Sequence, residues 1–249
     1  MMNKLVAIVL FSVVSLSGSA QKQIDDQFNS WITYSGNHIL SNKWDIESLY
    51  SFRRNGFFEH WQQSLLRVGV GYKLTEKIKA QVGYDWVRTF PYGAEPISRM
   101  TDEHRIWAHL NLKFQENRFY FGQRLRFENR VIDQTNTDTS TNKFVWKYRL
   151  RFKFGVNIPL NHNQMINHTL FLSLSDEIFM NLNSQDKYFD QNWFYSGLGW
   201  RFNKSISVKI GYLDQFLPNL DGLHVENNHT FSLNYIHNLD FSKKNSAKK

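Results

Sequence analysis

Cysteine is absent from all 249 residues. That excludes a disulfide framework, a thiol nucleophile, a zinc-finger array and lipid attachment through an N-terminal cysteine. Proline is scarce, with only 4, as expected where strands fill most of a chain. Long apolar runs are missing beyond the first twenty residues, so no helical span of ~20 apolar residues is available. Acids are fewer than bases, 22 against 30, giving a net charge of +8. Mean hydropathy is low, −0.50. Aromatic residues are the exception: 8 Trp, 11 Tyr and 21 Phe make up 16% of the chain. Low mean hydropathy combined with many large rings suits a barrel with one apolar and one polar face. The length suits one all-β domain.

The first residues read as an export signal. Lys4 supplies the positive region, Leu5 to Val14 a short apolar core, and Ser17 to Ala20 the small residues before Gln21. The expected organisation is a signal peptide at 1–20, a barrel at 21–241 and a basic, disordered tail at 242–249. Removing 1–20 takes away one Lys and no acid, so the mature charge is 8 − 1 = +7.

Period-2 alternation dominates the rest. Leu66, Val68, Val70, Tyr72 and Leu74 oppose Arg67, Gly69, Gly71 and Lys73. Ile106, Ala108, Leu110, Leu112 and Phe114 oppose Arg105, Trp107, His109, Asn111 and Lys113. Trp146, Tyr148, Leu150, Phe152 and Phe154 oppose Lys147, Arg149, Arg151 and Lys153. Gln123 is a polar exception on an apolar face. About eleven strands are visible, the first a weak one over Trp31 to Leu40. Single-chain bacterial barrels usually have an even number. The pattern therefore predicts an antiparallel transmembrane β-barrel of about 12 strands (10–12), with Gln21 to Phe28 as an extra strand or a segment threading the lumen.

Connections alternate between short turns, such as Thr75 to Lys77 and Asn203 to Ser205, and longer polar ones, such as Thr89 to Thr101 and Ile132 to Asn142. Short periplasmic turns and long extracellular loops build outer-membrane barrels. Outward rings sort by strand end. Trp44, Tyr72, Phe114, Phe154 and Trp200 flank short turns, while Tyr84, Trp86, Trp146 and Tyr212 flank long loops. Two aromatic girdles at membrane-interface level are expected of such a barrel.

The chain resembles a bacterial outer-membrane β-barrel family catalogued as domain of unknown function 2490. The resemblance rests on Phe28-x-Ser30-Trp31, Gly69 to Leu74 followed by Ile78 to Tyr84, and Glu103-His-Arg105. Tyr148 to Arg151, Asp176-Glu177 with an Asn-rich loop, and Trp200 to Asn203 complete it. It covers nearly the whole mature chain. It implies an uncharacterised outer-membrane barrel of a Gram-negative bacterium and assigns no catalytic residue.

The chief candidate site is a basic wall on three neighbouring strands. Arg105 and Lys113 lie on the first, Arg124, Arg126 and Arg130 on the second, and Lys147, Arg149, Arg151 and Lys153 on the third. In a narrow lumen such a field draws anions. The lumen acids Asp85, Glu103, Glu128 and Glu177, with Asp45 and Glu47, also face inward and could pair with the wall instead. Two readings stay open. One is a porin-like passive channel with an anion-leaning lumen, acidic sugars being one solute. The other is a non-conducting structural or interaction barrel whose lumen is filled by side chains.

No Ser and His stand at a spacing fit for lipid hydrolysis, and His162 and His168 make a poor metal pair, so no enzyme, cofactor or metal is expected. Nucleic acid is not an expected partner, because rings and charges occupy opposite faces. Outer-membrane lipid, the barrel-assembly machinery and a small anionic solute are.

Overall fold

A computed structural model describes residues 23–93, 97, 99–133, 144–184, 187–219 and 223–242. The expected signal peptide and nearly all of the basic tail lie outside these residues. Eleven strands fill the described chain: β1 (Gln23–Ile39), β2 (Trp44–Asn55), β3 (His60–Lys73), β4 (Ile78–Thr89), β5 (Thr101–Glu116), β6 (Phe119–Asp133), β7 (Phe144–Pro159), β8 (Thr169–Asn181), β9 (Phe189–Arg201), β10 (Ile206–Pro218) and β11 (His224–Asp240). Each pairs with its sequence neighbours in antiparallel register, and β1 closes the barrel against β11.

That closure corrects two expectations. There are eleven strands among the described residues, within the expected 10–12 but not the even twelve, and one pairing is parallel. The segment expected to supply an extra strand instead extends the first one, so 23–39 is a single 17-residue strand. With an odd number, the first and last strands run the same way, so closure must be parallel. Gln23 opposes His224 and Ile39 opposes Asp240. The weak pattern of β1 has a physical cause. Asn29, Trp31 and Thr33 are buried on the inner face, and Ser30, on the outer parity with Phe28 and Ile32, is buried as well, so polar residues occupy both faces and the alternation blurs.

The connections are also less unequal than expected. Residues 56–59 suffice between β2 and β3, and 219–223 between β10 and β11, the latter because both strands run further than their alternation suggests. The turn at 56–59 is tight. Gly56, Phe57 and Phe58 all adopt positive φ (63°, 49° and 80°), a strained state for two bulky residues. At the other end, Ser41 Oγ accepts from the Trp44 amide at 3.1 Å and Thr75 Oγ1 from the Ile78 amide at 3.0 Å, each fixing a short turn.

The two faces of the wall differ as the alternation requires. Outside, apolar residues stand exposed all around the barrel, Ile106 at 67% and Val82 at 60% among them. Leu110 and Val70 also point outward, whereas Gln81 and Ser173 are buried inside. The rings named above lie on the outer face. Trp44 packs on Tyr72 at 4.7 Å, and Phe121 bridges Phe114 and Phe154 at 4.8 and 5.9 Å near the short turns. Near the longer loops, Tyr84 stacks on His104 and Tyr212 on His229, both at 6.0 Å. The interior holds the polar core.

Candidate functional site

Antiparallel register alone would place like charges side by side in the lumen. Arg124 opposes Lys153, Arg126 opposes Arg151 and Arg130 opposes Lys147. Directly opposed like charges destabilise a sheet, so acids must come between them. They do. Glu128, on β6, accepts from Arg149 Nε and Nη2 at 2.8 and 2.6 Å and from Arg151 Nη1 at 2.8 Å. Arg126 Nε lies 2.8 Å from the same carboxylate, within ion-pair range but without hydrogen-bond alignment.

Asp85, on β4, is the second node. It accepts a bidentate pair from Arg67 at 2.7 and 2.8 Å, Arg126 Nη2 at 2.7 Å and Trp107 Nε1 at 2.6 Å. Both Asp85 and Glu128 are fully shielded from solvent. Glu103 takes both Arg105 and Arg130, and Glu177 takes Arg124 at 2.8 Å and Arg151 at 2.9 Å. Asp190 receives the free end of Arg149 at 3.0 Å. Glu47 lies 3.6 Å from Arg67. Seven arginines thus meet six carboxylates in one belt from β2 to β9. The belt is nearly neutral, so it is not the unpaired basic wall of the channel reading.

Trp107 packs inside this belt. Arg126 lies 4.4 Å and Arg67 5.3 Å from its ring, and His109 stacks on it at 4.8 Å. The ring reaches across to β3 and β4 only because Gly69 and Gly83 face it. A β-carbon at Gly83 would collide with both the ring and the Val68 carbonyl.

The three remaining cations of the wall stand apart from the belt. Lys113 and Lys147 are exposed near opposite ends of the barrel, and Lys153 is half-buried. Across the lumen lies a different surface. Trp31, Tyr195 and Leu213 form a buried cluster, with Trp193 edge-on to Trp31 at 5.3 Å. Arg53 lies 3.7 Å over Trp31, and Lys209 5.2 Å from the Tyr195 ring. Between belt and cluster is a cavity of about 380 Å³. Tyr92, from the β4–β5 connection, lines its upper end and donates to Glu226 at 3.2 Å. Burial, and then the Glu226 carboxylate, hold the Tyr92 phenol above its ordinary range, so it stays a neutral donor.

A family model described as Protein of unknown function (DUF2490) matches residues 28–228. The chain belongs to this family. The match in this DUF2490 barrel begins at Phe28, inside β1, and spans every strand that contributes to the belt. No curated protein and no solved structure matches the chain.

Several lumenal residues escaped grouping by sequence. Arg53 and Arg67 have inward parity, yet they lie on β2 and β3, far in sequence from the basic wall. Asp190 is in a region marked by polar loop composition. Trp193, Tyr195 and Phe179 are large rings on the lumenal face, where alternation leads one to expect polar residues. Their parity against Phe194 and Ile178 was the available signal.

Proposed function

We propose that this is an outer-membrane barrel whose lumen is held closed at mid-height by ion pairs, a structural or ligand-holding protein rather than an open porin. The observation that carries the closed lumen is the belt around Asp85 and Glu128, with seven arginines against six carboxylates and the central groups shielded from solvent. An unpaired basic lumen would leave its arginines hydrated. Membrane placement is supported by the apolar outer face, which is far larger than the few hundred Å² that soluble proteins expose. It is also supported by strands of 12 to 17 residues, longer than the ~9–11 a tilted strand needs to span. The short turns would then face the periplasm. Export through the signal peptide, contact with outer-membrane lipid and assembly by the barrel machinery follow from that placement. The reading assigns no catalytic step.

Anion passage is the second reading, and one observation favours it. Beside the belt, the cavity that faces the ring cluster shares Arg124, Lys153 and Lys209 with a neighbouring one, and that one shares Lys113 with a third at the short-turn mouth. Fractionation and planar-bilayer recording test both. The closed reading expects recovery with the outer membrane and no steady conductance. Recovery as a soluble protein without detergent would end the membrane placement. A stable anion-selective current would replace the closed lumen with the channel.

A further inference from the structure

The belt's arginines all have carboxylate partners, but three cations facing the cavity between belt and ring cluster are paired with none. Arg53 donates only to neutral acceptors, Ser51 Oγ at 3.2 Å and Gln63 Oε1 at 2.6 Å, and its Nη2 makes no described bond. Lys153 and Lys209 have no hydrogen bond or ion pair among the described residues; Glu177, the acid that faces Lys153 across the β7–β8 register, is already taken by Arg124 and Arg151. Lys209 has only the Tyr195 ring at 5.2 Å. A cation inside a barrel wall with no acid paired to it is costly, and a bound anion lowers that cost.

The lining around these cations is mixed. Trp193 and Tyr195 offer flat apolar surface, and the carboxamides of Gln215 and Asn234 offer hydrogen bonds. The volume, about 380 Å³, falls in the small-molecule range. A bare inorganic ion would use the charges but leave rings and carboxamides idle. A ring with hydroxyls and one or two acidic groups uses all three.

We propose that this cavity binds a small polyhydroxylated anion, of one or two sugar rings carrying a carboxylate or phosphate. Arg53 and the Lys153–Lys209 pair are the residues that take up its charge. The site rests on the reading of a lumen narrowed by the belt, and not on membrane placement.

The test is titration of the folded barrel in detergent with digalacturonate and with glucose 6-phosphate, and with maltose as the neutral control. Calorimetry and tryptophan fluorescence give the readouts. Saturable binding of one or both anions is expected, with maltose weaker by about tenfold or more, the effect of one lost charge-assisted contact. Which anion binds tighter separates carboxylate from phosphate recognition. The double variant Lys153→Met/Lys209→Met should weaken the anion by a further factor of about ten or more, while Lys204→Gln in the β9–β10 turn leaves it unchanged. Heat-modified gel mobility reports folding; if the double variant does not fold, Arg53→Gln and Lys209→Gln singly take its place.

No saturation by either anion up to about 10 mM overturns the site. So does equal binding of maltose, or undiminished affinity in folded variants. Conductance separates the two readings. Anion binding in an openly conducting barrel keeps the site and ends the closed lumen, whereas a closed barrel that binds neither anion loses the site alone.

Discussion

At the scale of single residues, the lumen is decided by a few buried groups that have no substitutes. Glu128 is surrounded by Arg126, Arg149 and Arg151. Glu128→Gln would leave three guanidinium groups sharing one neutral amide in a solvent-free place. Breaking such a network by removing one partner costs about 3–5 kcal/mol, so the denaturant midpoint should fall well below that of the parent. Gly83 makes the complementary point about space. Gly83→Ala drives a methyl into Trp107 and the Val68 carbonyl, and overpacking of this kind costs about 1–3 kcal/mol. Gly122 has no heavy atom within 4 Å of its virtual β-carbon, so Gly122→Ala should be nearly neutral in the same denaturation series. Equal loss at both glycines would show that backbone freedom, not the Trp107 seat, explains them.

At the scale of strands, β5 and β7 show the division between faces. Leu110 on β5 is 48% exposed on the outer side. If lipid covers that side, Leu110→Arg should cost about 2–4 kcal/mol in folding from urea into vesicles. Asn157, inward on β7 beside a lower cavity, should accept Arg with much less loss. Gln81 also faces inward but is a poor site for such a change. It donates to Glu47 at 2.9 Å and accepts from Asn111 at 2.8 Å, so an Arg there would break a packed network. This contrast shows what the sequence made legible. Strand phase, the outer rings and the inward basic residues of β5 to β7 follow from period 2, which is local. Pairing between Arg126 on β6 and Asp85 on β4, or between Arg149 on β7 and Asp190 on β9, depends on how far side chains reach past an intervening strand, and no local pattern carries that. The lumenal rings Trp193 and Tyr195 were hidden for a second reason. A closed interior can bury aromatic surface as well as charge, so composition of the inner face is not bound to be polar.

At the scale of the whole barrel, the parallel pairing of β1 with β11 sets the direction of every strand. β1 begins at the end that carries the longer connections, and β11 finishes beside the short turns. With the short turns in the periplasm, an epitope placed just before Gln23 should be reached by antibody on intact cells, and one placed after Asp240 should not. The reverse labelling would invert the orientation. The same pairing has a kinetic consequence. Every other strand meets a neighbour a few residues away, but Ile32 meets Leu233 across nearly the whole chain. Loop-closure entropy delays such distant contacts, so ten hairpin-type pairings can form while the seam stands open with two bare edges. Because the chain has no cysteine, two engineered pairs can time this. A disulfide between Leu66→Cys and Trp86→Cys, opposed on β3 and β4, should accumulate early in refolding, and one between Ile32→Cys and Leu233→Cys late. Until then the unpaired edges can capture another copy, so slowing the seam should raise the yield of aggregate in proportion to protein concentration.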